Sequence, residues 1–202
     1  MLIRPHDAWT DVGQVAAYVR SDAFGQFAVN GPDGVPVVVP TQFVADETCA
    51  HVDFHLAKAN PVFAALEATP QAVLTVAPDW AYIPGAWKAI GDEDPTRGIP
   101  TTYYSAVQLI GDVEVTDDPN AIAATLRLQL GDVEPDGGLV DPLEHAGQFR
   151  VIRGIRMTVT EIRAKAKYGG NVDDAHRAAI AERLAGRGGP GDQAAASRVP
   201  RG

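Results

Sequence analysis

Ala81-Tyr82-Ile83-Pro84-Gly85-Ala86-Trp87-Lys88 packs aromatics, a proline and a glycine between two apolar runs. Upstream lies Ala72-Val73-Leu74-Thr75-Val76-Ala77, and downstream Thr101-Thr102-Tyr103-Tyr104-Ser105-Ala106-Val107-Gln108-Leu109-Ile110. Both runs read as strands by length and by β-branched or aromatic content. The connection from Lys88 to Pro100 is too long for a tight turn, and loops of that length in compact domains are functional or mobile. Aromatic rings held at a strand end by Pro and Gly can frame a flat ligand. They can equally fill a core, where most aromatics lie.

Working outward, the chain alternates short apolar runs with turn signals. Thr10-Asp11 starts a helix whose stripe is Val12, Val15, Ala16 and Val19 and which ends near Arg20. Phe24 to Val29 is a strand, Asn30 to Gly34 a turn, Val35 to Ala45 a second strand and Thr48 to Leu56 a third, together a β-meander. Pro40 inside the second strand marks an edge, a bulge or a ligand-facing position. Ala57 to Leu66 then reads as a short helix starting between His55 and Asn60, with Pro61 in its first turn. Gly111 to Val115 continues the Thr101 strand past a bulge. Asp118-Pro119 caps a helix with the stripe Ile122, Leu126 and Leu130, closed by Gly131. Phe149 to Ile162 is one long strand or two short ones, and Asp173 starts a last helix. From Gly186 the sequence is rich in Gly, Ala, Pro and Arg and reads as a disordered tail, which sets a domain at 1–185 and a tail at 186–202. Six or seven strands in short-loop succession make the class mainly β with α, an antiparallel barrel or sandwich with decorating helices at the N-terminus, middle and C-terminus.

The formal net charge of −9 over 202 residues argues against broad attraction to phosphate backbones, so direct DNA binding is doubtful. No apolar run approaches a membrane span, and the start, Met1 to His6, lacks an apolar signal region; the expected location is cytoplasmic, with no membrane partner. The single cysteine, Cys49, reads as a small buried residue. Arg150, Arg153, Arg156, Arg163, Lys165 and Lys167 cluster late and read as a solvated face. His51 and His55 lack the intervening Glu of a zinc protease helix and lie on a strand, so no metal is expected. No glycine-rich phosphate loop or nucleophile elbow occurs, and nothing names a catalytic nucleophile or base. His55 and Lys58 beside a helix start can hold an anion; they can also be a satisfied histidine and an exposed lysine.

His55-Leu56-Ala57-Lys58-Ala59-Asn60-Pro61 resembles the His-Leu-Ala-Arg-Ala-Asn-Pro motif of the PaiB family of FMN-binding negative transcriptional regulators. Ala81 to Trp87 is similar to that family's Ala-Tyr-Ile-Ser-Pro-Ser-Trp, and Ile99 to Val107 to its Val-Pro-Thr-Trp-Asn-Tyr-x-Ala-Val strand. Lys167 to Asn171 stands where the family has Lys-Leu-Ser-Gln-Asn. The resemblance spans roughly residues 1 to 185 and implies a split antiparallel β-barrel that binds FMN at a homodimer interface. It implies a phosphate on His55, Lys58 and Asn60, an isoalloxazine along Val39-Pro40-Thr41, and ring walls from Tyr82, Pro84 and Trp87. Lys167 and Asn171 would close the site, from the same chain or from its partner. Departures from the family are Pro84-Gly85-Ala86 in place of Ser-Pro-Ser, Thr102-Tyr103 in place of Trp-Asn, which would reshape the pocket, and Tyr168-Gly169-Gly170 in place of Leu-Ser-Gln. Three functions are compatible: an FMN-binding regulator, an FMN-dependent oxidoreductase acting on a small-molecule substrate, and a flavin-free ligand-binding module.

Overall fold

A computed structural model describes residues 1–134 and 136–200. Two compact units emerge: Asp11–Val76 with Gln108–Arg163, and Met1–Thr10 with Ala77–Val107 and Ala164–Gly202. Within the first unit, β1 (Phe24–Asn30) and β2 (Pro36–Gln42) form a hairpin in full register, Phe24 opposite Gln42 and Asn30 opposite Pro36. Further strands are β3 (Val44–Ala45), β4 (His51–Ala57), β5 (Gln71–Val76), β6 (Trp80–Ile83), β7 (Thr101–Thr116) and β8 (Ile152–Lys167). The eight-stranded sheet runs β2-β1-β5-β7-β8-β4-β3, with β6 paired to β7.

The two ends of that order, β2 and β3, are separated in sequence by Phe43 alone. The chain therefore steps from one sheet edge to the other across a single residue, and the sheet closes on itself at this corner. Phe43 is fully buried there, and its amide donates to the Ala23 carbonyl at 3.0 Å. Alternation along β1 and β5 puts Phe27, Val29, Ala72, Leu74 and Val76 inside. Phe27 meets Phe54 of β4 edge to face, centroids 4.9 Å apart. Gly111 lets β7 and β8 approach, since a Cβ there would sit 2.1 Å from the Thr158 carbonyl oxygen. The expected bulge at Gly111 is instead an unbroken sixteen-residue strand.

Helices pack on this unit as their caps dictate. Asp11 accepts from the Gln14 amide and starts α1 (Val12–Ser21), which buries Val15, Ala16, Tyr18 and Val19 while Val12 stays exposed. Asp118 accepts from Asn120 and Ala121 and starts α3 (Pro119–Val133), which passes through Gly131 instead of stopping there. The third expected strand begins later, at His51. Asp46 accepts from the amides of Thr48, Ala50 and His51 and winds Asp46–Ala50 into a turn that holds Cys49 at φ 56°. The resulting β4 pairs with β3 and β8, so the expected three-strand meander reduces to the β1–β2 hairpin.

In the second unit β6 pairs with the start of β7, Trp80 opposite Tyr104 and Ile83 opposite Thr101. Beneath this pair lie α4 (Asp174–Arg187) and α5 (Asp192–Arg198), which bury Ile180, Leu184, Ala195, Ala196 and Val199 against Ala81, Ile83, Tyr103 and Tyr168. The sequence reading placed a disordered tail at 186–202. The structure instead turns the chain through Gly188 and Gly191, both at positive φ, into α5, whose alanines are small enough to pack flush on β6. Residues 201–202 of that expected tail lie outside the described residues. No described helix is long and apolar enough to cross a membrane.

Candidate functional site

In the barrel unit the site residues gather around the exit from β4. The sequence reading put the helix start between His55 and Asn60, with His55, Lys58 and Asn60 as its anion donors. The structure corrects this: His55 is within β4, and α2 (Val62–Ala68) begins only after Pro61. The Asn60 side chain accepts from the Val62 amide at 3.0 Å, so it caps the helix and uses one of its free donors. Pro61 supplies no donor, and a helix this short offers little dipole to an anion.

His55 and Lys58 are instead placed by partners far away in sequence. Gln129, buried on α3, donates its amide to the Gln42 carbonyl at 3.3 Å, which turns its own carbonyl oxygen toward His55. That oxygen lies 2.7 Å from His55 Nδ1, so the imidazole donates from Nδ1. Thr41, also buried, donates its hydroxyl to the same Gln42 carbonyl at 3.1 Å. One polar chain thus connects β4, α3 and the end of β2. Val39 and Pro40 stand beside it on β2, opposite Phe27 and Gln26. β2 ends the sheet order, so the amide that Pro40 lacks is not needed for pairing. Val39 is half-buried and Pro40 exposed.

Lys58 Nζ donates to Asp117 Oδ1 at 2.9 Å, and Arg153 donates from Nε to the same oxygen at 3.2 Å with its Nη2 ion-paired 3.1 Å from Oδ2. The hydrogen bond from Lys58, and then that from Arg153, hold the Asp117 carboxyl below the usual carboxylate range. Two cations therefore face one carboxylate, a local excess of positive charge that an anionic group can join. The sequence reading passed over Arg153 as part of a solvated face. Only the β4–β8 register, which sets Arg153 opposite Leu56, brings it to Lys58.

In the other unit, strand pairing sorts the aromatics by face. Trp80 and Tyr82 stand opposite Tyr104 and Thr102 on the outer face and are 61% and 50% exposed. Ala81, Ile83 and Tyr103 lie on the buried face. Tyr103 packs edge to face on Tyr168, centroids 5.8 Å apart, and burial pushes its hydroxyl pKa up to about 12. Lys167 Nζ donates to Thr101 Oγ1 at 2.8 Å, and the ammonium groups of Lys165 and Lys167 lie 5.3 and 5.8 Å from the Tyr104 ring centroid.

Pro84 accepts from the Trp87 amide at 3.0 Å and opens the 3₁₀ turn Gly85–Lys88. A Cβ on Gly85 would sit 2.2 Å from the Gly98 carbonyl oxygen, which accounts for glycine where the PaiB-type motif has proline. Trp87 is half-buried, with the Arg187 guanidinium 4.6 Å over its ring. Asn171 is exposed just past Gly169 and Gly170, where added Cβ atoms would meet the Tyr103 hydroxyl at 2.3 Å and the His6 carbonyl oxygen at 2.2 Å. The structure thus brings Val39, Pro40, Thr41, His55, Lys58 and Asn60 into one unit, and Tyr82, Pro84, Trp87, Lys167 and Asn171 into the other.

Residues 1–161 match the family described as "Putative FMN-binding domain". Among solved structures, the flavocytochrome Anf3 of Azotobacter vinelandii is similar at a TM-score of 0.62 and 21% identity, over 86% of this chain and 75% of that one. An FAD and heme binding protein of Mycobacterium smegmatis is similar at 0.60 and 15% identity, over 85% and 78%. A conserved hypothetical protein of Mycobacterium tuberculosis is similar at 0.57 and 16%, over 82% and 90%. At these identities the likeness is one of fold, the flavin-binding split barrel, mainly β with α. No curated protein matches the sequence significantly.

Proposed function

The chain belongs to the Putative FMN-binding domain family, and from that membership we propose that it is an FMN-dependent oxidoreductase that binds its flavin between two copies of itself. The observation that carries this reading is the pair of cations, Lys58 and Arg153, sharing the single carboxylate of Asp117. That arrangement fits a phosphate monoester. Lys58 brings three donors and Arg153 a planar fork, and the phosphate oxygens compete with a carboxylate that is itself half-exposed. His55, oriented through Gln129, adds a polar atom on the same unit, and the Val39-Pro40-Thr41 edge of β2 offers backbone groups to a ring.

The wall for the other ring face comes from a second copy in this proposal. Trp80 and Tyr82 expose large apolar rings on one face of β6, an area that a homodimer contact or a stacked flavin would cover. Lys167, fixed by Thr101, and exposed Asn171 add polar groups to that wall. Bound flavin supplies hydride and electron transfer. The chain's own residues bind the phosphate, align the ring and exclude water from it.

Redox use is favoured over direct DNA regulation by the net charge of −9, which opposes a phosphate backbone. Two structural neighbours are named as a flavocytochrome and an FAD and heme binding protein, which also supports redox use. The regulator reading keeps one support, the two PaiB-like motifs at His55–Pro61 and Ala81–Trp87. Visible absorption after FMN loading and desalting tests the cofactor, and sedimentation with and without FMN tests the dimer. Retained flavin on a dimer that is bleached by a nicotinamide donor is expected. A desalted protein without flavin bands contradicts the cofactor reading, and sequence-specific DNA retention at physiological salt would favour the regulator.

A further inference from the structure

The family match ends at residue 161, yet residues 79–93 of the second unit are held by helices beyond it. Arg187, in the last turn of α4, makes three different contacts with one guanidinium. It lies 4.6 Å over the Trp87 ring, donates to the Tyr82 carbonyl at 2.9 Å, and donates from Nε to Asp192 Oδ2 at 2.7 Å. Asp192 is fully buried and also accepts from the Gly189 amide at 2.8 Å, so the guanidinium is fixed from behind. One turn earlier on α4, Arg183 donates to the carbonyls of Trp87 and Ala89. Arg198 on α5 donates to Asp79 at 3.2 Å. His176 at the start of α4 reaches Glu93 at 3.1 Å. Gly191, at φ 76°, lets the backbone of the α4–α5 turn touch β6, since a Cβ there would sit 2.0 Å from the Trp80 carbonyl oxygen.

Apart from the Asp192 bonds that fix Arg187 itself, these contacts fall on residues 79–93, and Arg183 and Arg187 each grip a backbone carbonyl of the aromatic segment, at Trp87 and Tyr82. A guanidinium holding a carbonyl fixes the path of the chain and leaves the side chain free. We infer that Arg187 is a positioning residue for the ligand-facing segment Tyr82–Trp87, and that α4 and α5 act as a C-terminal clamp setting the orientation of its aromatic wall. This rests on the reading of Tyr82 and Trp87 as walls for the flavin. Stacking over Trp87 also gives that ring a cationic neighbour, so a flavin against its other face would lie in a more positive environment than the aromatic side chain alone provides.

Full-length Arg187→Ala and Arg187→Lys test the clamp through three readouts: amide hydrogen exchange of peptides covering 80–90, FMN affinity, and visible circular dichroism of the bound flavin. Arg187→Ala is expected to speed exchange in that stretch, to weaken FMN roughly tenfold to a hundredfold, as for lost hydrogen bonds from a charged donor, and to alter the flavin's dichroism. Exchange in Phe24–Asn30 of the barrel unit should not change. Arg187→Lys keeps the charge without the planar fork and should recover only part of the affinity; it also serves if the alanine variant does not fold. A wild type that binds FMN, beside an Arg187→Ala protein with unchanged affinity and dichroism, would overturn the positioning role alone. A wild type that never binds FMN would overturn the reading beneath it.

Discussion

The His55–Pro61 and Ala81–Trp87 segments are both motif-like in sequence, but the protein holds them in opposite ways. In the first, the side chains themselves are engaged: His55 with Gln129, Lys58 with Asp117, and Asn60 with the Val62 amide. In the second, the backbone is held through the Tyr82 and Trp87 carbonyls, the Trp87 ring alone is engaged, under Arg187, and Tyr82 remains half-exposed. A ligand at the first segment must therefore compete with protein groups, and charge decides the outcome. A ligand at the second meets a preset surface, and geometry decides.

The largest expected effects come from the close backbone approaches that shape each unit. Gly111→Ala drives a Cβ into the Thr158 carbonyl, and Gly191→Ala drives one into the Trp80 carbonyl at a φ that also strains any side chain. Each should cost about 3 kcal/mol or more. Differential scanning calorimetry, with exchange measured peptide by peptide, should show Gly111→Ala weakening barrel strands and Gly191→Ala weakening β6 and the α4–α5 pair. If both variants loosened the same peptides, the contrast between the units would fail.

Removing the competitor sharpens the electrostatic half of the comparison. Asp117→Asn leaves Lys58 and Arg153 without a carboxylate, and FMN should bind about threefold to tenfold more tightly, most clearly at low salt. Isothermal titration decides; weaker binding would mean that the carboxylate orients the cations and does not compete. A smaller effect, about 1 kcal/mol, is expected for the coupling between His55 and Gln129 in a double-mutant cycle of His55→Ala and Gln129→Ala followed by urea unfolding. Additive single effects would show that the polar chain to β2 contributes nothing as a unit.

The smallest expected effect is on pH dependence. Hydrogen bonds from His176 to Asp173, and then to Glu93, raise its pKa. A group raised on folding contributes its stability in full below its unfolded pKa, about 6.5, and loses it as pH rises through the folded value. Protection at the Glu93 loop, taken relative to intrinsic exchange at each pH, should therefore fall modestly from neutral to mildly alkaline pH, and His176→Gln should abolish that fall.

The fold class was legible because strand alternation and caps are local. Asp11, Asp118 and Asp173 each stand as the N-cap their sequence context indicates, and Phe27, Leu74 and Val76 face inward as period two requires. Strand pattern alone left barrel and sandwich open and the family resemblance implied the barrel; the step that closes it, the single residue Phe43 between β2 and β3, was not legible. The tail reading failed on composition: alanine and glycine suggested disorder, while the same small residues let α5 lie against β6. At the site, the sequence indicated which segments matter but not what their side chains touch. Arg153 and Arg187 reach their partners only through pairing and helix packing. Gln129 had a local sign, being a polar residue on the α3 face that carries Ile122 and Leu126.

The central claim is that Lys58 and Arg153 hold a flavin by its phosphate. Its most direct test compares FMN with riboflavin, which lacks the phosphate, by flavin fluorescence titration of the wild type and of the Lys58→Ala/Arg153→Ala double variant. The wild type should prefer FMN by about a hundredfold, the scale of two charge-assisted hydrogen bonds, and the double variant should bind both flavins alike. Equal affinities in the wild type, or an FMN preference that survives loss of both cations, would contradict the account.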